Sequence, residues 1–147
     1  MTKQNEHPVI QYKDGNTYRG EVKNDVPHGT GVFTFVNGST YNGMFSKGKF
    51  HGTGTLIMPN GITYVGEFIE GVMNGQGTLI DPNGGVYRGE FKDAKFHGQG
   101  VMSQKDGSIW EGGFEEGKID GEGVLTLPDG NKITGYFENG QFTPKAE

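Results

Sequence analysis

From Tyr18 onward the chain repeats itself every 23 residues. The copies read "YRGEVKNDVPHGTGVFTFVNGST", "YNGMFSKGKFHGTGTLIMPNGIT", "YVGEFIEGVMNGQGTLIDPNGGV", "YRGEFKDAKFHGQGVMSQKDGSI" and "WEGGFEEGKIDGEGVLTLPDGNK", with no insertion or deletion among them. A shorter sixth copy, "ITGYFENGQF", starts at Ile133, and "IQYKDGNT" before Tyr18 reads as the tail of another. A fixed period of this length means one supersecondary unit stacked on copies of itself. It also accounts for the glycine. Of 28 glycines, all but Gly85 and Gly113 fall at positions 3, 8, 12, 14 and 21 of the repeat, counting its first aromatic as position 1. That much glycine beside only 31% apolar residues would suggest low complexity. The 12% aromatics, concentrated at positions 1 and 5, argue instead for ordered backbone with rings packed on it.

Several glycines per repeat, at about 1 kcal/mol each, exclude a helix. Positions 1 to 6 alternate as a strand does, with Tyr64, Gly66 and Phe68 on one face and Val65, Glu67 and Ile69 on the other. Positions 12 to 18 read as a second strand, with Gly75, Gly77 and Leu79 sharing a face. Asn-Gly or Asp-Gly pairs at positions 20 and 21, from Asp14-Gly15 to Asp129-Gly130, mark tight turns that need positive φ. Positions 7 to 11 are expected to form a longer connection. Each repeat is thus a β-hairpin, and the chain is all-β: an elongated, twisted, single-layer antiparallel sheet of successive hairpins with about twelve strands. Rings lying over bare glycine backbone would support a sheet with no second layer. The reading divides the chain into an N-terminal tail and partial strand (1–12), a repeat domain (13–142) and a C-terminal tail (143–147).

"YVGEFIEGVMNGQGTLIDPNG" and its siblings resemble the MORN repeat (membrane occupation and recognition nexus), roughly Y-x-G-x-[WF]-x-x-G-x-x-[HN]-G-x-G, over Asp14 to Phe142. Departures are modest. Asp25 and Ala94 replace glycine at position 8, Val22 replaces an aromatic, and Trp110 and Ile133 stand where tyrosine is usual. The resemblance implies a groove-shaped sheet acting as a scaffold or peptide platform, of a kind commonly found in cytoskeletal, ciliary and membrane-junction assemblies.

The residues themselves exclude several chemistries. The formal charge is −5 with no basic run, so nucleic acid is not an expected partner. Cysteine is absent, which removes disulfides and thiolate metal sites. "MTKQNEHPVI" has no apolar core of signal-peptide length, so a cytoplasmic protein is expected; the resemblance adds association with the cytoskeleton or a cilium. The glycines match no phosphate-binding loop, since none precedes a helix. His28, His51 and His97 share position 11 with Asn74 and Asp120, which suggests loop-capping hydrogen bonds and no metal site. Glu21, Glu67 and Glu90 at position 4 read as a solvated charged face. Ser39, Ser46, Ser103 and Ser108 lie in no nucleophile motif, and Asn37-Gly38-Ser39 is a repeat turn expected to carry no glycan. Neither catalytic residues nor cofactors are expected, and the chain reads as a non-enzyme.

What remains is the aromatic face. Tyr41, Phe45, Tyr64, Phe68, Tyr87, Phe91, Trp110 and Phe114 form two parallel ribs whose outer sides, in a single layer, nothing would cover. An apolar strip of that length is expected to be a groove for an extended or helical peptide. The reading is therefore a scaffold or adaptor for a protein partner. Association with anionic lipid and the role of a non-catalytic positioning subunit are the alternatives. Lipid is disfavoured because the densest basic group is Lys92 and Lys95 with Asp93 between them. Open sheet edges, which the tails "MTKQNEH" and "TPKAE" are too short to cover with a helix and which only Pro8, Pro144 and terminal charges guard, would allow a homodimer.

Overall fold

Each repeat folds as a hairpin because its two connections are tight turns of different kinds. The computed structural model describes residues 8–146, so residues 1–7 of the N-terminal tail and Glu147 of the C-terminal tail lie outside the described residues. The chain divides between Val72 and Met73 into two compact units. The first carries β1 (Val9–Gln11), β2 (Thr17–Lys23), β3 (Val26–Thr34), β4 (Thr40–Ser46), β5 (Lys49–Ile57) and β6 (Thr63–Ile69). The second carries β7 (Val72–Ile80), β8 (Val86–Lys92), β9 (Lys95–Ser103), β10 (Ile109–Glu115), β11 (Lys118–Thr126), β12 (Lys132–Glu138) and β13 (Gln141–Pro144). Within each unit, strand order is chain order and every neighbour is antiparallel. The described residues form strands and turns and no helix. The expected all-β hairpin architecture is what the chain adopts, with thirteen strands among the described residues.

The turns exchange the parts that the sequence suggests. Positions 7 and 8 do not form a longer loop; they are the tightest connection, two residues that both have positive φ. The pairs are Asn24-Asp25 (53° and 67°), Lys47-Gly48 (52° and 84°), Glu70-Gly71 (49° and 87°) and Asp93-Ala94 (50° and 68°). Two successive positive-φ residues are what a type I′ hairpin needs, because its twist matches that of the strands it joins. The strand after it therefore starts at position 9, as with Lys49 opposite Ser46. At the Asn-Gly connection the glycine alone has positive φ, as at Gly38 (97°) and Gly107 (94°). Its amide donates to the position-18 carbonyl, Gly38 to Phe35 at 3.0 Å. The Asn or Asp contributes its side chain instead, with Asn37 Oδ1 accepting from the Ser39 amide at 2.8 Å.

A second irregularity sits at position 12. Gly29, Gly52, Gly75, Gly98 and Gly121 all have positive φ, from 64° to 92°. Gly29, Gly52, Gly98 and Gly121 lie where the hairpin register slips, between Gly20 and Val22 in β2, Gly43 and Phe45 in β4, Gly89 and Phe91 in β8, and Gly112 and Phe114 in β10. Position 12 is thus a bulge residue and no member of a plain alternating face with positions 14 and 16. Successive hairpins are tied by the position-8 amide, which donates to the position-10 carbonyl one repeat earlier. Gly48 bonds Pro27 (2.9 Å) and Gly71 bonds Phe50 (2.8 Å) in the first unit; Ala94 bonds Met73 (2.9 Å) and Gly117 bonds Phe96 (3.0 Å) in the second.

Candidate functional site

Positions 3 and 14 face each other across the hairpins within each unit: Gly20 and Gly31, Gly43 and Gly54, Gly89 and Gly100, Gly112 and Gly123. Their bare backbone leaves a shallow bed into which the position-1 ring lies. A methyl group added to Gly100 would meet Tyr87 Cε1 at 2.6 Å, and one on Gly112 would meet Trp110 Cζ2 at 2.8 Å. Once flat, the ring reaches along its own strand and donates a hydrogen bond to the carbonyl of position 4. Tyr41 bonds Met44, Tyr64 bonds Glu67 and Tyr87 bonds Glu90, each at 2.7 Å, while Trp110 Nε1 bonds Gly113 at 3.1 Å. The position-5 ring then packs edge-on, with centroids 5.1 Å apart for Tyr41–Phe45, Tyr64–Phe68 and Tyr87–Phe91.

Four of the eight residues expected to line a groove, Tyr41, Phe45, Tyr64 and Phe68, fall in the first unit and four, Tyr87, Phe91, Trp110 and Phe114, in the second, and in each unit they are buried. Tyr41 and Tyr64 are 0% exposed, Phe68, Tyr87 and Trp110 2%, Phe114 3%, and Phe45 and Phe91 4%. The expectation that their outer sides stay open does not hold. A second rank, rooted in the same hairpins at positions 10 and 16, closes over them. Phe50 stacks on Tyr41 at 3.9 Å and 11°, and Phe96 stacks on Tyr87 at 4.1 Å and 21°. In the first unit Phe33 and Phe35, 4.9 Å apart, lean edge-on against Phe50. Leu56 stands between Tyr41 and Tyr64, opposite each across the ladder. In the second unit Met102 stands likewise between Tyr87 and Trp110.

These outer side chains, Phe33, Phe35, Phe50 and Leu56 in one unit and Leu79, Phe96, Met102 and Leu125 in the other, are half-buried. They are the apolar surface that a partner would meet. In the second unit Leu79, Val86, Tyr87, Phe96 and Met102 enclose a recess of ≈ 180 Å³, rimmed by Asp81 and Gln104. A period search misses this rank because position 10 has no fixed letter: Pro27, Phe50, Met73, Phe96 and Ile119 all serve. The constant feature is bulk.

The polar columns are structural. Glu21 Oε1 accepts from both the Thr30 amide and its hydroxyl at 2.7 Å, and Glu90 Oε2 accepts from the Gln99 amide at 2.8 Å. The position-4 carboxylate thus satisfies an amide beside the bulge, a more specific duty than solvating a face. His28 Nδ1 accepts from the Lys47 amide at 3.3 Å and His51 Nδ1 from the Glu70 amide at 3.4 Å, the loop-capping role expected of them. Among the described residues no group of three or more His, Asp or Glu is placed to hold a metal ion.

The MORN-repeat family model matches residues 18–40, 41–63, 64–86, 87–109 and 110–132, five consecutive repeats in the same register as the hairpins. The chain belongs to the MORN-repeat family. Each MORN repeat therefore begins on its buried ring, Tyr18, Tyr41, Tyr64, Tyr87 or Trp110. Comparison with curated proteins found no match. Among solved structures, the MORN array is similar to the SAS-4 (dCPAP) TCP domain of Drosophila melanogaster, solved in complex with a proline-rich motif of Ana2 (dSTIL). The identity is 16%, over 94% of this chain and 88% of that one, with a TM-score of 0.40.

Proposed function

We propose that this MORN-repeat chain is a non-enzymatic scaffold that binds a protein partner through the outer apolar rank of its aromatic face. MORN repeats suggest a protein-interaction or membrane-binding scaffold. The single observation that favours a protein is the ≈ 180 Å³ recess among Leu79, Phe96 and Met102, a cavity of side-chain size with Asp81 and Gln104 beside it as hydrogen-bonding groups. An extended segment would seat one apolar side chain there and lay its backbone along the rank. Within each unit the buried rings form the floor, so partner contact falls to the half-exposed side chains above them. A setting in the cytoplasm, within a cytoskeletal or ciliary assembly, is part of the same reading and follows the habits of the family.

The test is capture of partners from lysate with the wild type and with a Leu79→Ser/Met102→Ser variant whose fold is verified by circular dichroism. The expected result is loss of partners from the variant, while Val101→Ser, which alternates with Met102 onto the opposite face of the same unit, keeps them. An unchanged set of partners would move the working surface off the aromatic face.

A further inference from the structure

The bond that ties each hairpin to the next fails once in the second unit. Ala94 and Gly117 reach back to Met73 and Phe96, but among the described residues the corresponding bond from the Gly140 amide to the Ile119 carbonyl does not form. A cleft of ≈ 730 Å³ opens there, lined by Glu115, Lys118, Ile119, Asp120, Phe137, Asn139 and Gly140. Its apolar floor is half-buried: Ile119, and Phe137 packed against Trp110 (4.9 Å) and Phe142 (5.2 Å). An unused backbone donor and acceptor stand beside that floor.

Charge is distributed with the same bias. Residues 1–109 hold ten Lys or Arg and ten Asp or Glu, whereas residues 110–147 hold three lysines and eight acids. The whole net charge of −5 thus sits in the stretch that builds the cleft. Glu115 and Asp120 line its walls, and Glu138 adjoins it across the last turn. Lys118, paired in register with Glu115, offsets one of them. Glu116 is drawn away by Lys95 at 3.1 Å.

We propose that this cleft, which ends the outer rank at Ile119 and is distinct from the recess at Leu79, Phe96 and Met102, is a second docking site, for a cationic segment of a partner polypeptide. An arginine or lysine would lay its aliphatic stem on Ile119 and Phe137, with its head group at the Glu115 and Asp120 carboxylates. The segment's backbone would take up the Ile119 carbonyl and the Gly140 amide. A metal ion does not fit, because no cluster of three ligands is assembled among the described residues.

Titration of the full ¹⁵N-labelled chain with an N-acetylated, C-amidated hexapeptide of alternating arginine and leucine tests this. Saturable amide shifts centred on Ile119, Asp120 and Gly140 are expected. Glu115→Gln/Asp120→Asn should weaken binding by about tenfold, and Glu111→Gln/Glu122→Gln, equal in charge but outside the cleft, by about twofold. Equal weakening by both pairs would overturn the proposal in favour of diffuse attraction. So would equal saturation by a glutamate–leucine peptide, or cleft shifts that appear without peptide as protein concentration rises, which would make the occupant a second copy.

Discussion

A methyl group at Gly100 would lie 2.6 Å from Tyr87 Cε1, in contact with a ring that is itself 2% exposed. Neither can move, since the ring is held by its bond to the Glu90 carbonyl and by Phe96 on its outer side. Gly100→Ala should therefore cost about 2–3 kcal/mol, as overpacking does. Gly85, one of the two glycines outside the repeat columns, is the contrast. The nearest atoms to a methyl there, Asp81 Cβ and the Ser103 carbonyl, are 3.9 Å away. Gly85→Ala should be neutral, or stabilising by about 0.4 kcal/mol through a less flexible unfolded chain. Urea midpoints of the two variants decide the matter; equal midpoints would mean that rings over glycine do not fix the spacing. Much of this pairing is legible in the sequence, because Tyr and Gly recur as fixed letters at fixed distance. The cover at position 10 is not, because a proline, a phenylalanine and an isoleucine fill the space comparably.

At the scale of the element, the hairpin is decided by its two turns, and here letters mislead. Asn-Gly pairs advertise a type I′ turn, yet the fold makes that turn at Asn24-Asp25, Lys47-Gly48 or Asp93-Ala94, and uses Asn-Gly for a wider connection. The reason is register. Facing glycines at positions 3 and 14 must align under the ring, and only a two-residue connection at positions 7 and 8 brings Phe45 opposite Phe50. The turn residues then accept whatever φ that register imposes. Ala94 pays for this with φ of 68°, an unfavourable conformation for a residue with a Cβ. Ala94→Gly should raise stability by about 0.5 kcal/mol, the relief of strain outweighing the added freedom of the unfolded chain. Gly71→Ala, at φ of 87° in the equivalent turn, should cost about 1 kcal/mol. Thermal melts of both would reveal opposite signs; a loss at Ala94→Gly would mean that the turn carries no strain.

For the molecule as a whole, the tyrosine hydroxyls set a limit on alkaline stability. Burial first of all, reinforced at Tyr18 and Tyr64 by the neighbouring Glu21 and Glu67, pushes Tyr18, Tyr41, Tyr64 and Tyr87 up to about 12. The neutral phenol is the form that the fold prefers, so stability is unaffected below about pH 10, where the unfolded tyrosines begin to ionise. It should then fall steadily as pH rises from 10 through 12. Urea midpoints measured against pH would show this; a midpoint that is level to pH 12 would mean that the phenols ionise without leaving the glycine bed. Replacing all four by Phe should remove the slope.

The bonds that tie Gly48 to Pro27 and Gly117 to Phe96 span less than one repeat, and within each unit every ladder pairing is shorter still. Nothing in either unit waits for a distant part of its chain. Contacts so local favour rapid folding. A hairpin leaving the ribosome can therefore dock on the one already finished, and synthesis itself becomes an assembly line on which each new 23 residues are folded before the next arrive.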